Sequence, residues 1–393
     1  MTALALPVAR PLLSLAGLDA TDHLDRLGPL PRLGPEALIE LAERSGLTGR
    51  GGAGFPTAIK VRAVAAARGR AVVVANAMEG EPLSHKDAVL LANVPHLVLD
   101  GLELVGRALG ASRRILAVGP EVASAAVEAA ARGRNVEVLR LSGGFVAGQE
   151  TALVNQIDGR PAVPRDPSVR VTSKGVGGRP TLVSNIETLA QLALVARMGS
   201  DWFRSYGTAE DPGTSLFTIS GSVARPGVVE APRGSRLMDV LTSAGPRDPA
   251  AVLVGGYHGA WVPAAALDTR LTRSELAPYN ASVGAGVLYV LDTHTCPLRA
   301  SADIASYLAG EVAGQCGPCI NGLPRMADSL QRLAKGGRDP RLVTEIERLR
   351  RLVDGRGACA HPDGTARFVA STMRTFADHV DSHLDGYCPV VPT

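Results

Sequence analysis

The run AVVVAN (71–76) is the feature that most constrains this chain. It is of strand length and apolar without alternation, as a strand buried on both faces must be. Two further strand-length runs follow, RRILAVG (113–119) and VEVLRL (136–141), separated by PHLVLDGLELVGRALG (95–110) and EVASAAVEAAARG (121–133), which have helical spacing. Strands and helices in alternation bury their apolar faces together as a parallel α/β sheet with helices on its faces. An earlier helix, PEALIELAERSG, stops at Gly46, where glycine is a normal terminator. A later one, NIETLAQLALVARMG, is expected to start at the capping-box spacing Ser184-x-x-Glu187.

The pattern changes near 212. SLFTISGSV, VVEAP and AVLVGG read as short strands separated by turns such as Arg225-Pro226-Gly227. After 270 four helical segments follow: ASADIASYLAGEVAG, INGLPRMADSLQRLAKGG, PRLVTEIERLRRLVDG and TARFVASTMRTFADHVDSHLDG. They are consistent with a small bundle. The expected organisation is a loose lead-in over 1–34, an α/β domain over 35–212, a β-rich module over 213–268 and a helical bundle over 269–393. A chain of 393 residues has room for two to three domains.

Charge is nearly balanced, 41 basic against 38 acidic residues, which argues against a nucleic-acid or anionic-membrane partner. The basic side is almost all Arg. The four lysines are Lys60, Lys86, Lys174 and Lys335, so the place of each is informative. No apolar run reaches the roughly 18 residues of a spanning helix. LALPVARPLLSLAG, broken by two prolines and an arginine, is a poor signal peptide. Five cysteines in this length do not form a disulfide framework. A cytoplasmic location is expected, and with it metal or redox use of Cys316, Cys319 and Cys359.

Four stretches carry candidate chemistry. Gly49-Arg50-Gly51-Gly52-Ala53-Gly54-Phe55 can bring backbone N–H groups close to an anion, with Arg50 and Lys60 adding charge. A plain surface loop is the other reading of the same residues. Asn76-Ala77-Met78-Glu79-Gly80-Glu81-Pro82 directly follows a strand, where open α/β sheets bind ligands, and Lys86 lies just beyond. A solvated charged turn would look the same. Gly143 to Thr151 opens a helical segment, whose N-terminus attracts anions, or is a simple strand-to-helix turn. Cys316-Gly-Pro-Cys319, with Cys359 forty positions on, has the spacing of cluster ligands, but also that of a redox pair or of inert thiols.

Taken together and in order, GLTGRGGAGFPTAIK, NAMEGEPLSHKD, GGFVAGQETALVNQIDG and GRPTLVSNIETLA resemble the flavin-carrying, NADH-oxidising subunit of respiratory complex I. That module also occurs in NAD-linked hydrogenases and formate dehydrogenases. SGSVARPGVVEAP is similar to the β-grasp (SLBB) module of that family, and AGQCGPCINGL with GACAHPDG to its terminal iron–sulfur bundle. The resemblance runs from about residue 35 to the end.

It implies noncovalent FMN, hydride transfer from NADH to the flavin, and single-electron exit through a [4Fe–4S] cluster. The partner it implies is a ferredoxin or thioredoxin-like [2Fe–2S] protein, within a larger redox complex. By position it assigns Glu79 and Glu150 catalytic roles. It assigns Arg50, Gly51, Gly52, Gly54, Phe55, Lys60, Asn76, Glu81, Lys86, Gly148, Gln149, Ser184, Asn185 and Thr188 to cofactor binding. Cys316, Cys319 and Cys359 match cluster ligands, with His361 a substitute for the fourth.

Several positions depart from the family pattern. Met78 and Gln149 stand where acidic residues are usual, and Phe145 replaces a tyrosine. Less negative charge should favour an anionic reduced flavin and raise its potential. Of the phenylalanines that clamp the adenine, Phe55 is kept. Ala63 and the segment from Pro167 to Arg170 take the places of the others. Each lost stacking contact is worth roughly 1–3 kcal/mol. Ala313 occupies the first cluster cysteine position. Two other readings keep less of the family function: a flavoprotein electron carrier that binds no nucleotide, and a cofactor-poor interaction scaffold.

Overall fold

The expected parallel sheet is present. In the computed structural model, which describes residues 2–3, 11–122, 125–165 and 168–390, four strands lie in the order Glu137–Arg140, Arg113–Val118, Val72–Ala77, Thr181–Asn185. All three pairings are parallel. Val72 and Val74 enter one apolar cluster with Met78, Leu153 and Val154. Val73, Ala75 and Ala77 enter another with Leu97, Leu102 and Leu189. Apolar layers on both faces explain why AVVVAN does not alternate.

The chain divides into two units. The first holds the chain through Ala162, the stretch ending at Thr218, and Gly227–Ser235. The second holds Ile219–Pro226 and the chain from Arg236, with a short piece around Pro164. In the first unit the helices Pro95–Ala108 and Ile186–Met198 pack on the sheet. They cross so closely that a Cβ on Gly101 would stand 2.1 Å from the Leu189 carbonyl oxygen, so only glycine fits there.

The strand order places the binding crevice. The chain steps outward from Val72–Ala77 through the next two strands, then returns to the opposite side with Thr181–Asn185. That reversal is the topological switch point, where open α/β sheets hold ligands beyond the carboxyl ends of their strands. Asn76 and Asn185 are paired in register at those ends.

Three local expectations change. The helix after Thr181–Asn185 begins at Ile186, and its cap is Asn185, whose side chain accepts from the Glu187 N–H at 3.0 Å. Ser184 is still in the strand, so the capping-box reading is one residue early. Described residues of the lead-in are ordered rather than loose. Ala20–Leu27 is a helix capped by Asp19. Leu12 is fully buried, and the Leu12 and Leu13 N–H groups donate to buried Glu230 at 3.0 and 2.9 Å. Of the segment 121–133, Ala125–Ala131 is helical, while Ala123 and Ser124 lie outside the described residues.

In the second unit, Val287–Asp292, Pro249–Val254 and Ala260–Pro263 pair antiparallel. Buried Trp261 ties them to the helices: its backbone N–H donates to Ser371 Oγ at 2.7 Å and its Nε1 to Ser301 Oγ at 3.2 Å. The helices are Pro297–Gly310, Leu323–Ala334, Arg341–Val353, His361–Thr375 and Ala377–Leu384. The last expected segment is thus broken in two, at Phe376. A π-helical turn, Pro318–Gly322, precedes Leu323. Among the described residues no single helix is long and apolar enough to cross a membrane.

Candidate functional site

Three loops meet over the strand ends of the first unit. Asn76 Nδ2 donates to the Gly148 carbonyl at 2.9 Å, and Asn76 Oδ1 accepts from the Met78 N–H at 3.2 Å. A Cβ on Gly80 would lie 2.7 Å from the Phe145 carbonyl oxygen, so the 79–81 turn and the 143–148 loop touch backbone to backbone. A Cβ on Gly51 would come within 3.2 Å of Asn185 Cβ, so the glycine-rich loop sits directly on the strand end. Gly51 is exposed, Gly52 and Gly54 are partly so, and both of the latter take positive φ. Phe55 is 49% exposed at the loop's tip. Lys60, on the helix Thr57–Ala65, donates to Glu150 Oε1 and to the Val183 carbonyl, both at 2.9 Å. Glu150 opens the helix Glu150–Ile157.

Beneath this rim lies a buried charge network. Lys86 Nζ is 2.6 Å from Asp87 Oδ1 and 3.1 Å from Glu187 Oε2. Burial opposes its charge, but Asp87 and Glu187 hold its pKa above the ordinary value. Asn185 Nδ2 donates to Asp87 Oδ2 at 2.8 Å, while Glu187 Oε1 accepts from the Leu216 N–H at 2.9 Å. Lys86 therefore ties one strand end to the following helix rather than reaching outward. In the sequence Glu187 stands out only for a capping box and Asp87 not at all; the signal that could have found both is Lys86, since a buried lysine requires carboxylates beside it.

Other expected site residues are likewise committed to the backbone. Glu79 Oε1 accepts from Ser84 Oγ at 2.7 Å and from the Asp87 N–H at 2.8 Å; its Oε2 accepts from the Ala88 N–H at 2.9 Å. It caps the helix Lys86–Asn93 and holds φ +38, an unfavourable value for a side-chain-bearing residue. Burial and Asp87 raise its pKa. Both Glu79 oxygens thus accept from the segment that starts this helix. Gln149 Oε1 accepts from the Thr151 and Ala152 N–H groups, each at 2.9 Å, which is N-cap work.

Arg50 is held by the protein as well. Its guanidinium donates to Thr48 Oγ1 at 2.9 Å and to the Pro212 carbonyl at 3.2 Å, and its backbone N–H to Thr188 Oγ1 at 2.8 Å. Its buried Nε has no hydrogen-bond partner. Burial and Arg233 lower its pKa to about 9. Arg50 faces inward and anchors the loop's base. Glu81 is half-buried and accepts from the Leu83 N–H at 3.4 Å. Ser184 is half-buried beside Asn185.

The thiols of the second unit have a different environment. Cys319 lies on the π-helical turn and is buried. Burial, then the sulfurs of Cys316 and Cys359, push its pKa up to about 12. Cys359 is raised by burial and by Cys316. The sulfurs thus lie near enough to act on one another, and burial with these neighbours opposes thiolate formation at Cys319 and Cys359 without a compensating cation. That donor set fits a thiolate-ligated cluster.

His361, the expected substitute for the fourth ligand, is placed by two contacts. Its Nε2 is 2.9 Å from the Leu308 carbonyl, and its Nδ1 is 3.1 Å from His258 Nε2. Both ring nitrogens are hydrogen-bonded in this way. Asp363, whose Oδ1 accepts from the Gly355 N–H at 2.8 Å, acts on both Cys319 and Cys359. Ala63 and Val169 are exposed, and Pro167 lies outside the described residues.

Comparison with known proteins gives three family matches. Residues 42–194 match the Nuo51 FMN-binding domain. Residues 216–256 match the SLBB domain, and residues 299–383 the NADH-ubiquinone oxidoreductase-F iron-sulfur binding region. The chain is 31% identical to the F subunit of NADH-quinone oxidoreductase from Mycobacterium tuberculosis, covering 91% of this chain and 87% of that one. It is 30% identical to the HndC subunit of the NADP-reducing hydrogenase from Solidesulfovibrio fructosivorans, covering 90% and 78%. A chain in the crystal structure of NAD+-reducing [NiFe]-hydrogenase in the air-oxidized state superposes with a TM-score of 0.86 at 31% identity, over 99% of this chain and 69% of that one.

Proposed function

The chain belongs to the family of F subunits of NADH-quinone oxidoreductase, and we propose that it is a flavin and iron–sulfur oxidoreductase within a larger redox assembly. It takes electrons from a nicotinamide nucleotide and delivers them to a small iron–sulfur protein in the cytoplasm. The observation that carries this reading is the switch-point crevice rimmed by Gly51–Phe55, Lys60 and Glu150, in a chain that also gathers three thiols.

Bound FMN would supply hydride acceptance from the nucleotide and release of single electrons. The chain supplies position. The exposed backbone of Gly51–Gly54 offers N–H groups to a phosphate. Lys60 brings a cation to the same rim, held there by Glu150 and the Val183 carbonyl. Phe55 offers a ring face for stacking. Asn76 and Asn185 fix the floor. Glu79, Gln149, Lys86 and Arg50 are positioning residues. Cys316, Cys319 and Cys359 would hold the cluster, and Asp363 is the oxygen donor whose charge reaches two of those sulfurs.

An anaerobic visible spectrum before and after NADH and NADPH, with flavin and iron counts, tests this. Flavin bands that bleach with either nucleotide are expected. The exposed Ala63 favours a second reading, in which a protein donor reduces the flavin directly. Flavin that neither nucleotide bleaches but a reduced ferredoxin does would select it. Protein carrying neither flavin nor iron would overturn both.

A further inference from the structure

We propose that Cys296, His383 and Cys388 form a second metal site in the helical bundle, a Cys–His–Cys centre for a divalent cation of the zinc class. One ligand atom from each residue lies within 4.8 Å of the other two. Cys296 Sγ and His383 Nε2 are 3.5 Å apart. A tetrahedral zinc ion with bonds of about 2.3 Å to sulfur and about 2.05 Å to nitrogen would hold those two atoms about 3.5 Å apart. The ligands already stand at the spacing the cation requires.

The imidazole is also set for the task. His383 Nδ1 lies 3.2 Å from the Leu333 carbonyl, which can only accept. The proton therefore sits on Nδ1, and Nε2 presents its lone pair to the sulfurs. A ligating histidine fixed by a carbonyl at its other nitrogen is the usual outer-shell arrangement at metals. His383 is 1% exposed and Cys296 4%, while Cys388 is half-buried. Two ligands are thus held in the core and the third is partly exposed. Burial and the neighbouring Cys388 sulfur disfavour the Cys296 thiolate, whereas the Leu298 and Arg299 N–H groups favour it. A bound cation reverses the unfavourable influences.

This site is distinct from the thiols already described. Cys296 immediately precedes the helix Pro297–Gly310, and Cys316 follows that helix's far end. Fourteen helical residues span about 20 Å. Leu333, beside His383, lies in the last turn of the helix Leu323–Ala334, whose start adjoins Cys319. Cys296 and Cys388 also fall outside residues 299–383, the match to the iron–sulfur region.

The test is metal analysis of the full chain, purified anaerobically, given zinc chloride and desalted. About one zinc per chain is expected, alongside the iron. Cys388→Ser should weaken zinc binding by at least about tenfold, with iron and flavin contents unchanged. Cobalt titrated into the wild-type chain should give a thiolate-to-cobalt absorption band, a readout that does not depend on any variant folding. The proposal is overturned by equal zinc in wild type and Cys388→Ser, by absence of the cobalt band, or by thiol counting that shows Cys296 and Cys388 oxidised to a disulfide. Zinc that disappears only with Cys359→Ser would also overturn it, since that metal would belong to the other thiols.

Discussion

The two units bury ionisable groups in opposite ways. Around Lys86 the charges balance locally: one ammonium lies between Asp87 and Glu187, and amide groups take the remaining oxygens. Around Cys319 the groups Cys316, Cys359 and Asp363 all push the same way, and Cys319 and Cys359 resist ionisation. The first arrangement is complete as it stands and serves to hold strand ends and helix starts together. The second acquires a balanced charge state only when a cation joins it. Self-sufficiency thus separates scaffold from cofactor site better than residue type does, since carboxylates and lysine look more catalytic on paper than buried cysteines.

The largest effect should come from removing the cation of the balanced set. Lys86→Met leaves two buried carboxylates facing each other and should cost about 3–5 kcal/mol in denaturant unfolding. A loss below about 1 kcal/mol would break the comparison.

Another buried acid of the first unit, Glu230, on which Glu187 also acts, sharpens it. Burial raises the Glu230 pKa to about 7, against the Thr214, Leu13 and Leu12 hydrogen bonds that lower it. The folded state therefore binds this proton more tightly than the unfolded chain. Stability from this group is full below about pH 4.5, falls as pH rises towards 7, and is flat above. Glu230→Gln should flatten that fall and gain on the order of 3 kcal/mol at pH 8, read from paired melts across pH. A parent protein with no decline over this interval would contradict the assignment.

Smaller effects probe the caps and thiols. Gln149→Ala removes one N-cap and should cost about 1 kcal/mol. Flavin content should hold, whereas a flavin ligand at 149 would show as lost cofactor. Cys359→Ser should strip the cluster's iron yet shift the stability of the iron-free chain by less than about 0.5 kcal/mol, as for a substitution outside the packed core.

Much of the fold was legible because its signals are local. AVVVAN, the helix ending at Gly46 and the CxxC spacing are each readable within a dozen residues. What escaped was set by tertiary contacts, most of them with partners far away in the chain. Asn185 displaced Ser184 as cap because the strand runs one residue further beside Val72–Ala77. Glu79 became a cap because the chain turns back on it at Asp87 and Ala88. His361 Nδ1 is met by His258, a residue 103 positions earlier. Cys296 and His383 are 87 positions apart and share no motif. In the lead-in, Leu12 and Leu13 are drawn in by Glu230, which sequence proximity could not suggest.

The π-helical turn Pro318–Gly322 has one last consequence. Such a turn is an α-helical turn lengthened by a single inserted residue. Deleting exposed Ile320 would let the segment relax into ordinary helix and swing Cys319 by about 100° relative to Leu323. The direction in which that sulfur points is thus encoded by residue count rather than by residue identity. A lineage could lose the cluster through one codon deletion and leave the bundle's apolar helix faces untouched.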